Sequence, residues 1–211
     1  NVSFIPFTPI IKYRNNINLN KNISNYNELN FTIIKRNESN DNLASENNTF
    51  KINNYLTFNN RFKGVNIFNK FSLLNGLNNY TFEHNSNLNS TDSFNHLIIS
   101  SDYFFKLNEI ISPRIKLIHN QELNNTESNI NEDSNTITFN YQNTYSDNRF
   151  FGTDLRDNTS RIVYGFENVL SIKKQEIEIN TSQSYDFKKN NNFSKKLNQS
   201  SHFSDFAIEA K

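Results

Sequence analysis

Few side chains in this sequence combine the types and the spacing that chemistry requires. The chain has four histidines: His84, His96, His119 and His202. They lie far apart and in no metal-ligand spacing, so we interpret them as solvated side chains. Glu132 and Asp133 are adjacent carboxylates, which could bind a hard cation in a loop. Neighbouring residues on a strand point to opposite faces, so we favour a solvated polar loop over a metal site.

Composition excludes several further kinds of site. The 211-residue chain contains no cysteine, which rules out thiolate catalysis, disulfide scaffolds and cysteine-ligated zinc. It has no Ser–His–Asp spacing, and four glycines hardly permit a phosphate-binding loop. Because 22 basic residues are balanced by 21 acidic ones, nucleic acid is not an expected partner. We therefore predict a protein that is not an enzyme and that uses no cofactor.

Charged side chains of both signs are densest between residues 149 and 161. This segment contains five of them: Arg149, Asp154, Arg156, Asp157 and Arg161. Such a mixture can form ion pairs in a confined lumen, where pairing is stronger than on an open surface. Gly152 and Gly165 are two of the four glycines, which indicates tight backbone packing in this region. An ordinary charged hairpin loop is the alternative interpretation.

The elements that would position these side chains show a period of two residues. Apolar and polar side chains alternate between residues 50 and 62, between 177 and 187, and between Ile137 and Tyr141. Strict alternation is typical of a strand with one apolar and one polar face. The mean hydropathy of −0.75 is too polar for an ordinary core, yet the chain has 20 Phe and 9 Tyr. Both observations fit a sheet whose two faces meet different solvents.

Clusters of Asn, Asp and Ser separate the alternating segments and predict turns. They fall at residues 37–48, 85–93, 120–134, 154–160 and 188–200. Their spacing predicts a meander of antiparallel strands joined by alternately short and long connections. No segment has the 3.6-residue period of a helix, and no linker divides the chain.

Two architectures could use such strands. A soluble sandwich would bury the apolar faces against a second sheet, whereas a membrane barrel would turn them to lipid around a polar interior. No apolar run approaches the roughly 18–20 residues of a membrane helix. Because the alternate face carries Lys, Glu, Asn and Arg, we predict an all-β antiparallel meander that is part of a transmembrane outer-membrane β-barrel. The expected lipid-facing residues are Phe50, Ile52, Phe139, Ile177 and Ile179. The expected interior-facing residues are Lys51, Glu176 and Glu178.

The segment from Asn131 to Gly165 resembles the C-terminal barrel domain of the LptD family of LPS-assembly proteins, the outer-membrane lipopolysaccharide translocon. Twelve positions carry the motif: Asn131, Glu132, Asp133, Ser134, Asn148, Arg149, Phe150, Gly152, Asp154, Arg161, Tyr164 and Gly165. Residues 111–114, 183–185 and 204–206 are similar to flanking motifs, and the spacing is closest to alphaproteobacterial members. The first hundred residues match the family only in their general pattern of residue types. Two departures from the pattern are Leu155-Arg156 and Thr181-Ser182.

The resemblance implies a transport role without covalent chemistry. Residues 1–211 would be one partial β-barrel domain, lacking the family's periplasmic N-terminal domain and its closing C-terminal strands. The barrel would insert LPS into the outer leaflet of the Gram-negative outer membrane, and the twelve motif residues would have a structural role. The implied partners are LPS, outer-membrane lipid, an LptE-like lipoprotein plug, the periplasmic Lpt bridge and the barrel-assembly machinery. Another outer-membrane barrel, such as a porin or receptor, and a secreted β-sandwich adhesin are the alternatives.

Overall fold

The computed structural model describes ten stretches of the chain: residues 10–35, 46–62, 64–81, 89–107, 110–125, 135–136, 139–151, 157–172, 175–188 and 202–211. These residues form eleven strands and one helix: β1 (Ile10–Asn18), β2 (Ile23–Lys35), β3 (Glu46–Phe62), β4 (Val65–Thr81), β5 (Ser90–Phe105), β6 (Ile111–Asn125), β7 (Asn135–Thr136), α1 (Tyr141–Thr144), β8 (Phe150–Phe151), β9 (Ser160–Ile172), β10 (Gln175–Asp186) and β11 (Ala207–Ala210).

Nine of the strands form one antiparallel sheet, in the order β1-β2-β3-β4-β5-β6-β9-β10-β11. Each strand pairs with the next along the chain, except that β6 pairs with β9 across a connection that holds β7, α1 and β8. The predicted all-β antiparallel meander is therefore confirmed. The two longest strands, β3 and β4, have 17 residues each, which exceeds the roughly 9–11 residues that a tilted strand needs to cross a bilayer.

The strand predicted between Ile137 and Tyr141 is wrong in its described part. Phe139 and Asn140 lie outside any strand, and Tyr141 begins α1, although the sequence pattern predicts no helix. Asn140 caps this helix, because its side chain accepts a hydrogen bond from the Asn143 amide at 2.8 Å. Ile137 lies outside the described residues. Phe139 is thus not a strand residue facing lipid, and three alternating apolar residues were too few to specify a strand.

The connections alternate in length, as predicted. Four short ones lie at one end of the sheet, at residues 19–22, 63–64, 106–110 and 173–174. Four longer ones lie at the other end, at residues 36–45, 82–89, 126–159 and 187–206. We call these the short-turn end and the long-loop end. The tight turn between the paired residues Phe62 and Val65 uses Gly64 at a φ of 83°, a conformation that side chains other than hydrogen disfavour.

Charged side chains of the nine-stranded sheet collect on one face, which we call the polar face. Since alternate residues of a strand point to opposite faces, the strand registers decide which face each residue occupies. Seventeen charged residues lie on the polar face: Lys12, Arg14, Glu28, Lys51, Arg61, Lys70, Asp92, Asp102, Arg114, Lys116, Glu122, Arg161, Glu167, Glu176, Glu178, Asp186 and Glu209. Among the side chains that the structure describes, the opposite or apolar face carries one charged residue, Glu46, at the long-loop end of β3.

The apolar face is exposed although it carries large side chains. Ile52 is 41% and Phe166 47% exposed, whereas Asn78 and Ser182 on the polar face are completely buried. This distribution is the reverse of that in a soluble sheet protein. Among the described residues, the only second sheet consists of β7 and β8 with two residues each, which is too small to cover the apolar face. The structure therefore does not support the β-sandwich interpretation.

The registers agree with the face assignment made from alternation. Ile177 and Ile179 lie on the apolar face of β10, and Glu176 and Glu178 lie on its polar face. The β3 residues Phe50, Ile52 and Lys51 divide in the same way. No helix within the described ranges is long and apolar enough to cross a membrane.

We predict that Ile179→Lys lowers the stability of the protein in a bilayer by roughly 2–4 kcal/mol, because it places a charge on the apolar face. The measurement is the free energy of unfolding of the full-length protein in lipid vesicles, obtained by urea titration.

Glu178→Lys is the matched control, because it introduces the same group on the adjacent residue but on the polar face. We expect this variant to change the free energy of unfolding by less than about 1 kcal/mol. Equal losses in the two variants would contradict the assignment of faces.

Candidate functional site in the β6–β9 connection

The connection between β6 and β9 folds back along the polar face of the sheet. We call residues 139–151 and 157–159 of this connection the inserted connection. Tyr141 bonds to Glu167 towards the short-turn end, while Arg149 bonds to Asp186 at the long-loop end. Asp186 is paired with Arg161, six residues before Glu167 on β9, so the two contacts lie roughly 20 Å apart along the strands. The inserted connection therefore follows much of the length of the sheet.

At the long-loop end two arginines share one buried aspartate. We call Arg149, Asp157, Arg161 and Asp186 the arginine–aspartate cluster. Arg149 donates to both carboxylate oxygens of Asp157, at 2.8 and 3.1 Å, and to Asp186 at 2.7 Å. Arg161 donates to Asp157 and to the Ser146 carbonyl. Because Asp157 and Arg161 are 0% and 1% exposed, water does not weaken their pairing.

The charges within this cluster set its protonation. Burial acts to raise the pKa of Asp157, but the positive charges of Arg161 and Arg149 outweigh it and lower the pKa from 3.8 to about 2. Burial acts to lower the pKa of Arg149, but the carboxylates of Asp157 and Asp186 outweigh it and raise that pKa. Asp157 and Arg149 are therefore both ionised at neutral pH, as their hydrogen bonds require.

Asp147 ties the inserted connection to two strands that are not neighbours. Its carboxylate lies 2.9 Å from the ammonium of Lys70 on β4 and 2.7 Å from that of Lys116 on β6. We call these three residues the Asp147 bridge. Burial acts to raise the pKa of Asp147, but Lys116 and Lys70 outweigh it and hold the pKa well below its usual range. Lys116 also donates to the Tyr145 carbonyl at 2.7 Å, so it holds side chain and backbone together.

Towards the short-turn end, Arg114 of β6 holds two tyrosines of the inserted connection. Its guanidinium carbon lies 4.0 Å from the centre of the Tyr145 ring, and its nitrogens bond to Asp102 at 2.7 and 3.1 Å. Arg114 also reaches Glu167 at 3.3 Å, and this carboxylate accepts the Tyr141 hydroxyl at 2.5 Å. Burial raises the pKa of both tyrosines, so their hydroxyls stay protonated.

Gly165 makes room for this packing. A Cβ added to Gly165 would collide with the Thr181 carbonyl and would lie 2.7 Å from the Tyr145 hydroxyl. Tyr145 lies in a cluster of buried residues with Tyr141, Ile118 and Val163. The inserted connection is thus held by aromatic packing as well as by ion pairs.

Five of the twelve motif residues meet in or beside the inserted connection: Asn148, Arg149, Phe150, Arg161 and Gly165. Asn148 shapes the backbone here, since its Oδ1 accepts from the amides of Phe150 and Asp157 at 3.3 and 3.2 Å. Phe150 is 3% exposed and pairs with Thr136 between β8 and β7. The motif positions on either side of Asp157 are therefore joined through that residue.

Of the remaining motif residues the structure describes Tyr164, which does not contact the inserted connection through its hydroxyl. Tyr164 lies on the opposite, apolar face, where its hydroxyl donates to Gln183 at 2.6 Å. Gln183 in turn donates to the Ser204 carbonyl at 3.0 Å. Six motif residues lie outside the described part of the chain: Asn131, Glu132, Asp133, Ser134, Gly152 and Asp154.

Sequence reasoning missed most of the residues that hold the inserted connection in place. On the sheet they are Lys70, Asp102, Lys116, Glu167 and Asp186, and within the connection they are Tyr141, Tyr145 and Asp147. A helical signal was present, because Tyr141 and Tyr145 are four residues apart and so lie on one face of a turn. No local pattern reveals that Lys70 and Asp147, 77 positions apart, form an ion pair.

The chemistry of the site is that of a fixed polar contact. Its charged groups form ion pairs with partners across the sheet, and the described residues contain no group of three or more His, Asp or Glu side chains that could hold a metal ion. What the arrangement can do is hold the inserted connection against the polar face.

An antiparallel meander with a charged face, an exposed apolar face, and short turns opposite long loops has the design of an outer-membrane β-barrel wall. The family model described as LptD, LPS transport system D, matches residues 8–211, so the chain belongs to this family. The match extends over the first hundred residues, where individual motifs were not recognisable. It makes the chain a member of a family of outer-membrane LPS transport components. None of the curated proteins compared with the chain matches it.

We predict that Asp147→Asn loosens the inserted connection, because it leaves two partly buried ammonium groups without a counter-charge. Removing the carboxylate charge of Asp147 should lower the free energy of unfolding by roughly 3 kcal/mol, as loss of one member of a buried ion pair does. Proteolysis within the inserted connection of the full-length protein should also become faster.

Glu178→Gln is the control for this variant, since it makes the same acid-to-amide change at an exposed position on the polar face. It should leave both measurements unchanged. Similar losses in Asp147→Asn and Glu178→Gln would show that the Asp147 bridge does not stabilise the inserted connection.

The lowered pKa of Asp157 predicts a pH dependence. Stability contributed by this carboxylate is complete above its unfolded pKa of 3.8 and is lost as the pH falls towards about 2. The difference in free energy of unfolding between the wild-type protein and Asp157→Asn should therefore shrink by about 2 kcal/mol between pH 5 and pH 2. Urea titration in detergent micelles measures this difference, and a constant value over that range would contradict the prediction.

Proposed function

We propose that this chain forms part of the wall of an outer-membrane barrel that inserts LPS into the outer leaflet of the outer membrane. The observation that carries the proposal is the division of charge between the two faces of the sheet. A face with seventeen charged residues requires water, and the opposite face suits acyl chains. Membership of the LptD family supplies LPS as the cargo.

The lengths of the connections support one orientation in the membrane. Outer-membrane barrels have short turns on the periplasmic side and long loops outside the cell. The long-loop end also carries aromatic side chains: Tyr185 lies 4.8 Å from Phe203 and 5.6 Å from Phe187, measured between ring centres. Phe187 and Phe203 are more than half exposed, as expected at a membrane–water interface. The long-loop end therefore faces the outside of the cell.

Within this barrel the motif residues have a structural and not a catalytic role. Arg149, Arg161 and Gly165 hold the inserted connection against the polar face, which narrows the lumen on the side of β5 to β10. Residues 1–211 belong to one barrel domain. Its partners are LPS, outer-membrane lipid, an LptE-like lipoprotein plug, the periplasmic Lpt bridge and the barrel-assembly machinery.

Depletion of the protein in its own cells tests the proposal. LPS newly made after depletion should fail to reach the cell surface and should accumulate in fractions other than the outer membrane. Re-expression of the full-length protein should restore surface LPS. If depletion slowed the uptake of small solutes but left surface LPS unchanged, the protein would be a porin-like barrel and the proposal would be wrong.

A further inference from the structure

The inserted connection leaves part of the polar face uncovered. Polar-face residues of β5, β9 and β10 are mostly buried, whereas Lys12, Arg14, Asn16 and Arg61 on β1 and β3 are exposed. We call the polar-face residues of β1 to β3, from Lys12 and Lys51 to Arg61, the basic strip. On the described strands, exposed charged residues of the polar face lie in the basic strip and, on β10, at Glu176 and Glu178.

The basic strip differs in charge from the rest of the polar face. It contains four cations and one anion: Lys12, Arg14, Lys51, Arg61 and Glu28. Glu28 is held by Lys12 at 2.7 Å and by Arg14 at 3.3 Å, so a surplus of positive charge remains. The polar face of β9 to β11 carries one cation and five anions: Arg161, Glu167, Glu176, Glu178, Asp186 and Glu209. Arg114, Arg149 and Lys211 pair with Glu167, Asp186 and Glu209, so the exposed negative charge lies at Glu176 and Glu178.

The basic strip also borders a polar cleft. A cleft of about 260 Å³ lies where the strip meets the Asp147 bridge, and Thr57, Asn59 and Phe68 line its side towards β3 and β4. Its volume is below the roughly 300–1,000 Å³ of pockets that enclose a drug-sized ligand, so it fits a single small group. The exposed Phe68 ring offers a flat apolar surface among hydroxyl and amide groups, which suits a sugar ring.

We infer that the basic strip is the track for the anionic headgroup of the transported glycolipid. The inference rests on the proposed function and adds to it the side of the lumen along which the sugars and their phosphate or carboxylate groups move. The charge of the strip attracts such groups, and the exposed carboxylates of Glu176 and Glu178 on β10 repel them. Arg61 lies at the short-turn end of β3, and Lys51 precedes it by ten residues towards the long-loop end. The track therefore spans roughly 33 Å between these two residues.

Site-specific photocrosslinking in cells that make LPS tests this assignment. A photoreactive residue replaces Asn16 or Asn59 in the basic strip, or Glu176 or Glu178 on the acidic side, in the full-length protein. All four positions are exposed on the polar face. We expect LPS adducts, detected with an antibody against LPS, at Asn16 and Asn59 and at least about fivefold fewer at Glu176 and Glu178.

Charge variants supply the second measurement. The pair Lys51→Gln and Arg61→Gln should lower the adduct yield at Asn59 roughly fivefold, while Lys51→Arg and Arg61→Lys together should preserve it. Each yield is normalised to the amount of folded protein in the outer membrane, so that a folding defect does not count as lost contact. Glu176→Gln and Glu178→Gln are the matched controls and should not lower the yield.

The outcomes distinguish a failure of the basic strip as the track from a failure of the proposed function. Equal or greater LPS adducts on the acidic side, or a protein adduct at Asn59 in place of LPS, would overturn the basic strip as the track. Unchanged adduct yield after neutralisation of Lys51 and Arg61 would do the same. No LPS adduct at any of the four positions, with surface LPS unchanged on depletion, would instead overturn the proposed function.

Discussion

The structure depends on the requirement that every charged group of the sheet has water or a charged partner beside it. Lipid offers neither, so a sheet in contact with lipid must keep its charges on the other face and pair its backbone groups between strands. Strand alternation meets this requirement locally, because each residue has a fixed face once the register is set. The antiparallel meander then extends the same choice from strand to strand, which is why the charge partition continues across all nine strands.

The same requirement explains how a polar connection can have a defined position on this sheet. The inserted connection buries aspartates and arginines that would be unstable alone, and it does so only where the sheet provides groups of opposite charge. Asp157 meets two arginines, and Asp147 meets two lysines. In both cases the positive charges outweigh the cost of burial, so the carboxylates remain ionised. Tyr141 and Tyr145 add apolar contact between these ion pairs.

The sequence predicts those parts of the fold that depend on local pattern. Alternation from Phe50 to Phe62 and from Ile177 to Phe187 specifies strands and their faces, and Asn-rich clusters specify connections. Alternation fails at Phe139 and Tyr141, where an Asn140 cap and tyrosine packing override a short pattern. The candidate site is predictable only in part. The density of charge around Arg149 marks the segment, but the residues of the sheet that pair with this segment, Lys70, Lys116 and Asp186, come from strands distant in sequence.

One consequence of the Asp147 bridge is mechanical. The carboxylate attaches to β4 and to β6, so it acts as a cross-brace over β5 and resists shear between these three strands. Arg149 and Arg161 add a similar brace between the inserted connection and β9 and β10. Strands joined by these ion pairs resist separation from one another. If a lipid leaves the barrel between two neighbouring strands, those strands separate more easily where no such ion pair joins them.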